Sequence, residues 1–186
     1  MDFDALLKEA SRYENRLRAH RRALHHIPEL GYEEHETHAY LMEHLRALAP
    51  DDLKTFARTG IRAVFRGDGT GRVIAFRSDI DALPIQEATG RDYASCHSGK
   101  MHACGHDTHT AMLLGAAALL KEREADLPGR VKLMFQPSEE NLKGAAAMVE
   151  AGVLKNPPVD AAMALHVFPG PMHVGTLAWR QGPALA

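Results

Sequence analysis

The chain has 186 residues, 45% hydrophobic and 25% charged, with Lys+Arg 22 against Asp+Glu 24 and a formal charge of -2. Those proportions belong to folded globular domains and exclude disordered, collagen-like and coiled-coil chains, and at roughly 100–200 residues per domain the length allows one compact domain, hardly two. So balanced a charge supplies no basic field for a phosphate backbone or an anionic membrane, so neither nucleic acid nor a membrane is an expected partner.

The chain begins Met1-Asp2-Phe3-Asp4, acidic where a signal peptide is basic and then apolar, and a cytoplasmic protein is expected. A helical pattern follows, with Leu6, Ala10, Tyr13, Leu17 and Leu24 at spacings of three, four or seven, stopping at Pro28. A second stripe, Tyr40, Leu41, His44, Leu45 and Leu48, stops before Pro50. His20, His25, His26, His35, His38 and His44 fall within these patterns and read as partly exposed helix positions or caps. Beyond Pro50 the period becomes extended. Leu53 to Ala57, Ile61 to Arg66 and Arg72 to Ser78 read as strands joined by a hairpin, the last pair across the turn Gly67 to Gly71. A long loop from about Ala82 to Lys100 is of a length that is usually functional.

A nearly all-apolar helix is then expected from about Asp107 to Glu124, its apolar run Ala111 to Leu120 being half the length needed to cross a bilayer. A strand at Arg130 to Gln136, a helix from about Asn141 to Ala151 closed by Gly152, and a strand at Val159 to Leu165 complete the pattern. This alternation predicts an α/β fold, with a mixed, partly parallel sheet covered by helices on both faces.

Ligands of open α/β sheets gather beyond the carboxyl ends of the strands. Those positions hold Asp79 and Asp81, Glu139 and Glu140, and His166, and the apolar helix is entered through His102, Cys104, His106 and His109. The two cysteines, Cys96 and Cys104, cannot make a disulfide framework and are read as thiols. Cys104 and His106 offer a thiolate and an imidazole, and Glu140 and His166 complete a donor set suited to zinc, manganese, nickel or cobalt. Neighbouring residues at a strand end point in different directions, so one carboxylate of Glu139-Glu140 can bind metal while the other faces a substrate as a proton carrier. An acidic pair at a helix N-terminus is the plainer alternative. Asp79 and Asp81 admit direct ligation or orientation of a ligating histidine, the second being favoured for Asp81. Gly105 and Gly144 read as close backbone approaches near a crowded site.

The motifs His25 to Gly31, Arg77 to Ile85, Met101 to His109, Phe135 to Glu140 and Ala164 to Val167 resemble, in order and spacing, those of the aminoacylase-type metallopeptidases. The branch is that of hippurate hydrolase and the indole-acetyl amino acid hydrolases, amidohydrolases of the peptidase M20 family. The resemblance implies a zinc-peptidase-like catalytic domain hydrolysing the amide of N-acyl amino acids, hippurate-like or N-acetyl, at a centre of two divalent ions (Mn, Zn, Ni or Co). Carried over by position, Cys104, His106, Glu140 and His166 are the metal ligands and Glu139 the general base, with Asp81 in the catalytic set. Such enzymes interrupt the catalytic domain with a lid and dimerisation domain and are homodimeric. The chain ends at Trp179 to Ala186, about where that insertion would begin. Residues 1–186 are therefore expected to be the N-terminal portion of the catalytic domain, with the lid and the C-terminal part, including a further His ligand, outside it. The alternative is a non-catalytic metal-binding fragment.

Overall fold

The computed structural model describes residues 3–67, 69–170 and 172–179. Three helices come first: α1 (Phe3–Ser11), α2 (Glu14–His26) and α3 (His35–Ala47). Strands β1 (Asp52–Phe56), β2 (Gly60–Arg66) and β3 (Val73–Asp79) follow, then α4 (His106–Glu122), a short 3-10 turn (Glu124–Asp126), β4 (Arg130–Gln136), α5 (Gly144–Glu150) and β5 (Ala161–Ala164). The strands form one sheet in the order β1-β2-β4-β3-β5, antiparallel at β1/β2 and β2/β4 and parallel at β4/β3 and β3/β5. The mixed, partly parallel sheet is the one expected.

Alternation along the two central strands decides which helices cover which face. Ile61, Ala63 and Phe65 of β2 and Val131, Leu133 and Phe135 of β4 pack with Leu41 and Leu45 of α3 and Leu113, Leu114 and Ala117 of α4. Full burial of each such large apolar side chain contributes about 1.5–3 kcal/mol. Met134 and Ala75 turn to the opposite face and meet Met148 of α5 and Val153. Helices therefore cover both faces. Lys132 shares that second face, fully buried, and donates to the carbonyls of Val153 (2.8 Å), Lys155 (3.2 Å) and Pro157 (2.9 Å). The edge strand β5 is exposed throughout. Among the described residues no helix is long and apolar enough to cross a membrane.

Two details correct the linear reading. The first helical pattern is interrupted at Arg12 and Tyr13, whose N–H groups reach back only three residues, to Glu9 (3.2 Å) and Ala10 (3.0 Å). Tyr13 is turned inward, its hydroxyl donating to Glu122 at the far end of α4, and that tertiary bond sets the break. The hairpin expected between β2 and β3 does not form either, because β4 lies between them. The glycines of the 67–71 segment serve a close crossing instead: a Cβ on Gly67 would lie 1.9 Å from the Leu127 carbonyl oxygen, and one on Gly69 2.0 Å from that of Pro128. Bonds from Gly67 N–H to Gly129 O and from Gly71 N–H to Pro128 O, each 2.9 Å, fasten the crossing.

Candidate metal centre

The parallel strands β3, β4 and β5 end at one edge of the sheet and deliver Asp79 to Asp81, Pro137 to Glu140, and His166. Gly105, at φ 87°, turns the chain into α4 so that His106 is its first residue. That left-handed conformation suits glycine, and a Cβ there would also lie 2.5 Å from Val167 Cγ2.

Cys104, His106 and Glu140 each present a donor atom, all within 4.8 Å of one another. Cys104 Sγ is 3.6 Å from His166 Nε2, which adds the fourth residue of the predicted set. His106 Nε2 and Glu140 Oε1 face each other at 3.7 Å, both buried and both without a hydrogen-bond partner. Bare polar atoms at that depth cost free energy unless something sits between them, and a thiol, two imidazoles and a carboxylate fit a divalent transition ion.

The electrostatics agree. Burial, followed by the charges of Glu140, Asp79 and Glu139, pushes the Cys104 thiol up to about 11. Binding a metal would therefore expel a proton from it. Burial also raises Glu140, with help from Glu139 and Asp81 and against the pull of His106. For His106, burial is the largest influence and lowers its pKa, but the hydrogen bond to Asp81 and the charges of Asp79, Asp81 and Glu140 outweigh it, leaving the imidazole raised. Neighbouring carboxylates contribute to all three shifts, behind burial for Cys104 and Glu140 and against it for His106.

Asp81 organises this pair. Its carbonyl accepts from His106 Nδ1–H (2.9 Å), which leaves Nε2 unprotonated toward the centre, and its carboxylate accepts from the Glu140 N–H (3.0 Å). Glu139 and Glu140 do not diverge as neighbouring strand residues would. Glu139 Oε2 is 3.8 Å from the same His106 nitrogen that Glu140 faces, because Ser138 has φ 55° and residues 139–142 form a turn. The pair differs in exposure, 34% for the Glu139 side chain and 24% for Glu140. Nor does it open a helix: α5 begins only at Gly144, whose N–H and that of Lys143 bond back to the Ser138 carbonyl. A Cβ on Gly144 would lie 1.6 Å from the Pro137 oxygen.

Three features of the site escape a linear reading. Glu34, fully buried in the loop before α3, accepts from Ser138 N–H (2.8 Å) and the Thr59 hydroxyl (2.5 Å) and so clamps the turn that carries both glutamates. His25 is not a partly exposed helix position but buried, because it pairs with Asp107 Oδ2 (2.7 Å) and Glu87 Oε1 (3.2 Å). The Asp107 hydrogen bond is the main cause of its raised pKa. His109 bonds to Asp79 rather than to the four-residue set. The motif from His25 to Gly31 marks the His25 neighbourhood, but nothing in it names Asp107 as partner. A cavity of about 500 Å³ opens beside the centre, lined by Arg21, His25, Tyr93, His102, Cys104 and Phe168.

Comparison with known proteins adds an independent line. A curated relative from Bacillus subtilis, an N-acetyl-L-cysteine deacetylase, is 47% identical over 176 residues, covering 95% of this chain and 42% of its own. An Arabidopsis thaliana IAA-amino acid hydrolase ILR1-like 4 is 47% identical over 166 residues, covering 89% of this chain and 37% of its own. The crystal structure of the Bacillus subtilis YXEP protein, described as a dinuclear metal binding peptidase from the M20 family, superposes with a TM-score of 0.80 at 43% identity over 86% of this chain and 44% of that one. The chain thus spans well under half the length of these relatives. The model of peptidase family M20/M25/M40 matches residues 75–182, the stretch that holds both glutamates and all four residues of the predicted donor set, and the chain belongs to that family.

Proposed function

We propose that the protein is a metal-dependent hydrolase of N-acyl amino acids, hippurate-like or N-acetyl, of which residues 1–186 form the N-terminal portion of the catalytic domain. The observation that carries the reading is the facing, unpartnered pair His106 Nε2 and Glu140 Oε1 beside Cys104 and His166. The deacetylase and amino acid hydrolase relatives support the substrate class. Cys104, His106, Glu140 and His166 would hold two divalent ions (Mn, Zn, Ni or Co), the second completed by a ligand from elsewhere in the full protein. Bound there, such ions supply Lewis-acid polarisation of the acyl oxygen and of the attacking water.

The protein's own groups do the rest. Glu139, the more exposed carboxylate, takes a proton from the attacking water and returns it to the departing amine nitrogen. Asp81 holds His106 in the tautomer that presents Nε2 and fixes the Glu140 backbone. The adjoining cavity of about 500 Å³ gives a small acyl amino acid room beside the centre.

The test separates proton transfer from ligation. Glu139→Gln should abolish hydrolysis of N-acyl amino acids with metal content nearly intact, whereas His106→Ala should lose metal first; equal metal loss in both would overturn the assignment of roles. A second reading, metal binding without turnover, is favoured by the fully exposed edge strand β5. Bound metal with no hydrolysis by this chain, together with hydrolysis by a chain of the relatives' length, would identify it.

A further inference from the structure

Asp79, His106, His109 and His166 also bring donor atoms within 4.8 Å of one another, so His109 could be taken for another metal ligand. Its hydrogen bonds argue otherwise. Val167 N–H donates to His109 Nε2 at 2.9 Å, so that nitrogen carries the lone pair and the proton resides on Nδ1. Nδ1–H in turn donates to Asp79 Oδ1 at 2.5 Å. Asp79 is itself immobilised: its other oxygen accepts from Arg77 Nη1 (2.8 Å) and its carbonyl from the Thr110 hydroxyl (2.9 Å). Both ring nitrogens of His109 are therefore occupied, and ligation through Nε2 would strip the Val167 N–H of its partner.

The chain of bonds continues to the centre. The Val167 carbonyl accepts from His166 Nδ1–H at 2.6 Å, which leaves His166 Nε2 unprotonated and 3.6 Å from Cys104 Sγ. The rings of His109 and His166 pack edge to face, with centroids 4.4 Å apart. The Val167 side chain lies over Gly105, between Cys104 and His106. One residue, Val167, docked by its N–H on His109 and by its side chain on Gly105, thus sets through its carbonyl both the tautomer and the direction of His166. This matters because β5, which delivers His166, is an exposed edge strand and cannot fix the imidazole by burial.

We propose that His109 is a positioning residue and not a metal ligand: Asp79 fixes its tautomer, His109 Nε2 holds Val167 by its N–H, and the Val167 carbonyl aims His166 Nε2 at Cys104. The inference deepens the metal-centre reading and rests on it.

The two amides split the functions of the ring. Glutamine can place an acceptor oxygen near the Nε2 position, whereas asparagine can only reproduce the Nδ1 donor. In the 15N-labelled, metal-free chain, imidazole correlation spectra should report His109 as the Nδ1–H tautomer. Val167 amide exchange should stay slow in His109→Gln and accelerate at least tenfold in His109→Asn. With Co2+ or Zn2+ as the probe, His109→Gln should keep the native stoichiometry and thiolate-to-cobalt absorption, while His109→Asn binds 10–100-fold more weakly. Far-UV circular dichroism should be the same for all three proteins. Loss of a full metal equivalent in both variants, an Nε2–H tautomer, or native exchange and metal binding in His109→Asn would each overturn the proposal. A wild-type chain that keeps the Nδ1–H tautomer and the protected amide but binds neither metal would overturn the metal-centre reading and, with it, the aim assigned to His166.

Discussion

Asp79 carries two duties, since the carboxylate that orients His109 is also among the most buried charges in the chain. Burial acts to raise it, but the His109 hydrogen bond and the charges of His106 and Arg77 outweigh that and hold it at about 2, below the ordinary 3.8. A carboxyl whose pKa is depressed on folding contributes stability that is fully present above the ordinary value and is lost as pH falls through the folded one. In chelator-treated protein, urea unfolding should therefore report about 2 kcal/mol lost through this group between pH 4 and pH 2. Asp79→Asn should flatten that acid limb; a limb of unchanged steepness would show that the group is not ionised in the folded state. His102 poses the opposite case, buried with neither ring nitrogen bonded and pushed down to about 4, first by burial and then by the charges of His106 and His25, against the pull of Asp107 and Asp81. It stands in the site as a neutral ring.

At the scale of elements, the turn after β4 is the piece most dependent on distant partners. Ser138 sits at φ 55° with no exposure, an uncommon conformation for a residue with a side chain, and Glu34 holds it from the loop before α3. Removing that carboxylate strands a buried N–H and a buried hydroxyl, each worth about 1–3 kcal/mol when left without a partner. Glu34→Ala is expected to lower the unfolding free energy by roughly 2–4 kcal/mol and to weaken metal binding, as the turn that carries Glu140 relaxes. Glu34→Gln keeps an acceptor for Ser138 and should cost less than half as much. The raised pKa of Glu34, caused first by burial, is consistent with a neutral replacement being tolerated. Equal losses in the two variants, measured by chemical denaturation, would show that shape rather than the hydrogen bonds holds the turn.

For the molecule as a whole, the candidate centre ties together the first turn of α4, the turn after β4 and the end of β5, so a bound cation would link three segments distant along the chain. A metal that binds the folded state alone stabilises it by about 2.7 kcal/mol at a hundred times its dissociation constant. Adding Zn2+ or Mn2+ should raise the melting temperature and a chelator should reverse it, while His106→Ala should be indifferent to both; a metal-induced shift retained in that variant would place the binding elsewhere. Much of this organisation is legible in the linear chain. Period and stop signals mark the α3 region, the strands and α4, and the ligand-type residues stand directly after strands, where a parallel sheet must gather them. Resemblance supplied their roles. Three things were decided only by tertiary contacts. β4 enters between β2 and β3, where it pairs with a strand on each side and all but the first of its residues are buried. Tyr13 breaks the first helix because its hydroxyl finds Glu122. His25 and His109 find their hydrogen-bond partners in Asp107 and Asp79, which lie 82 and 30 residues away along the chain. Periodicity records which side of its own element a residue occupies, and it carries no information about the partner that the packed fold brings to that side.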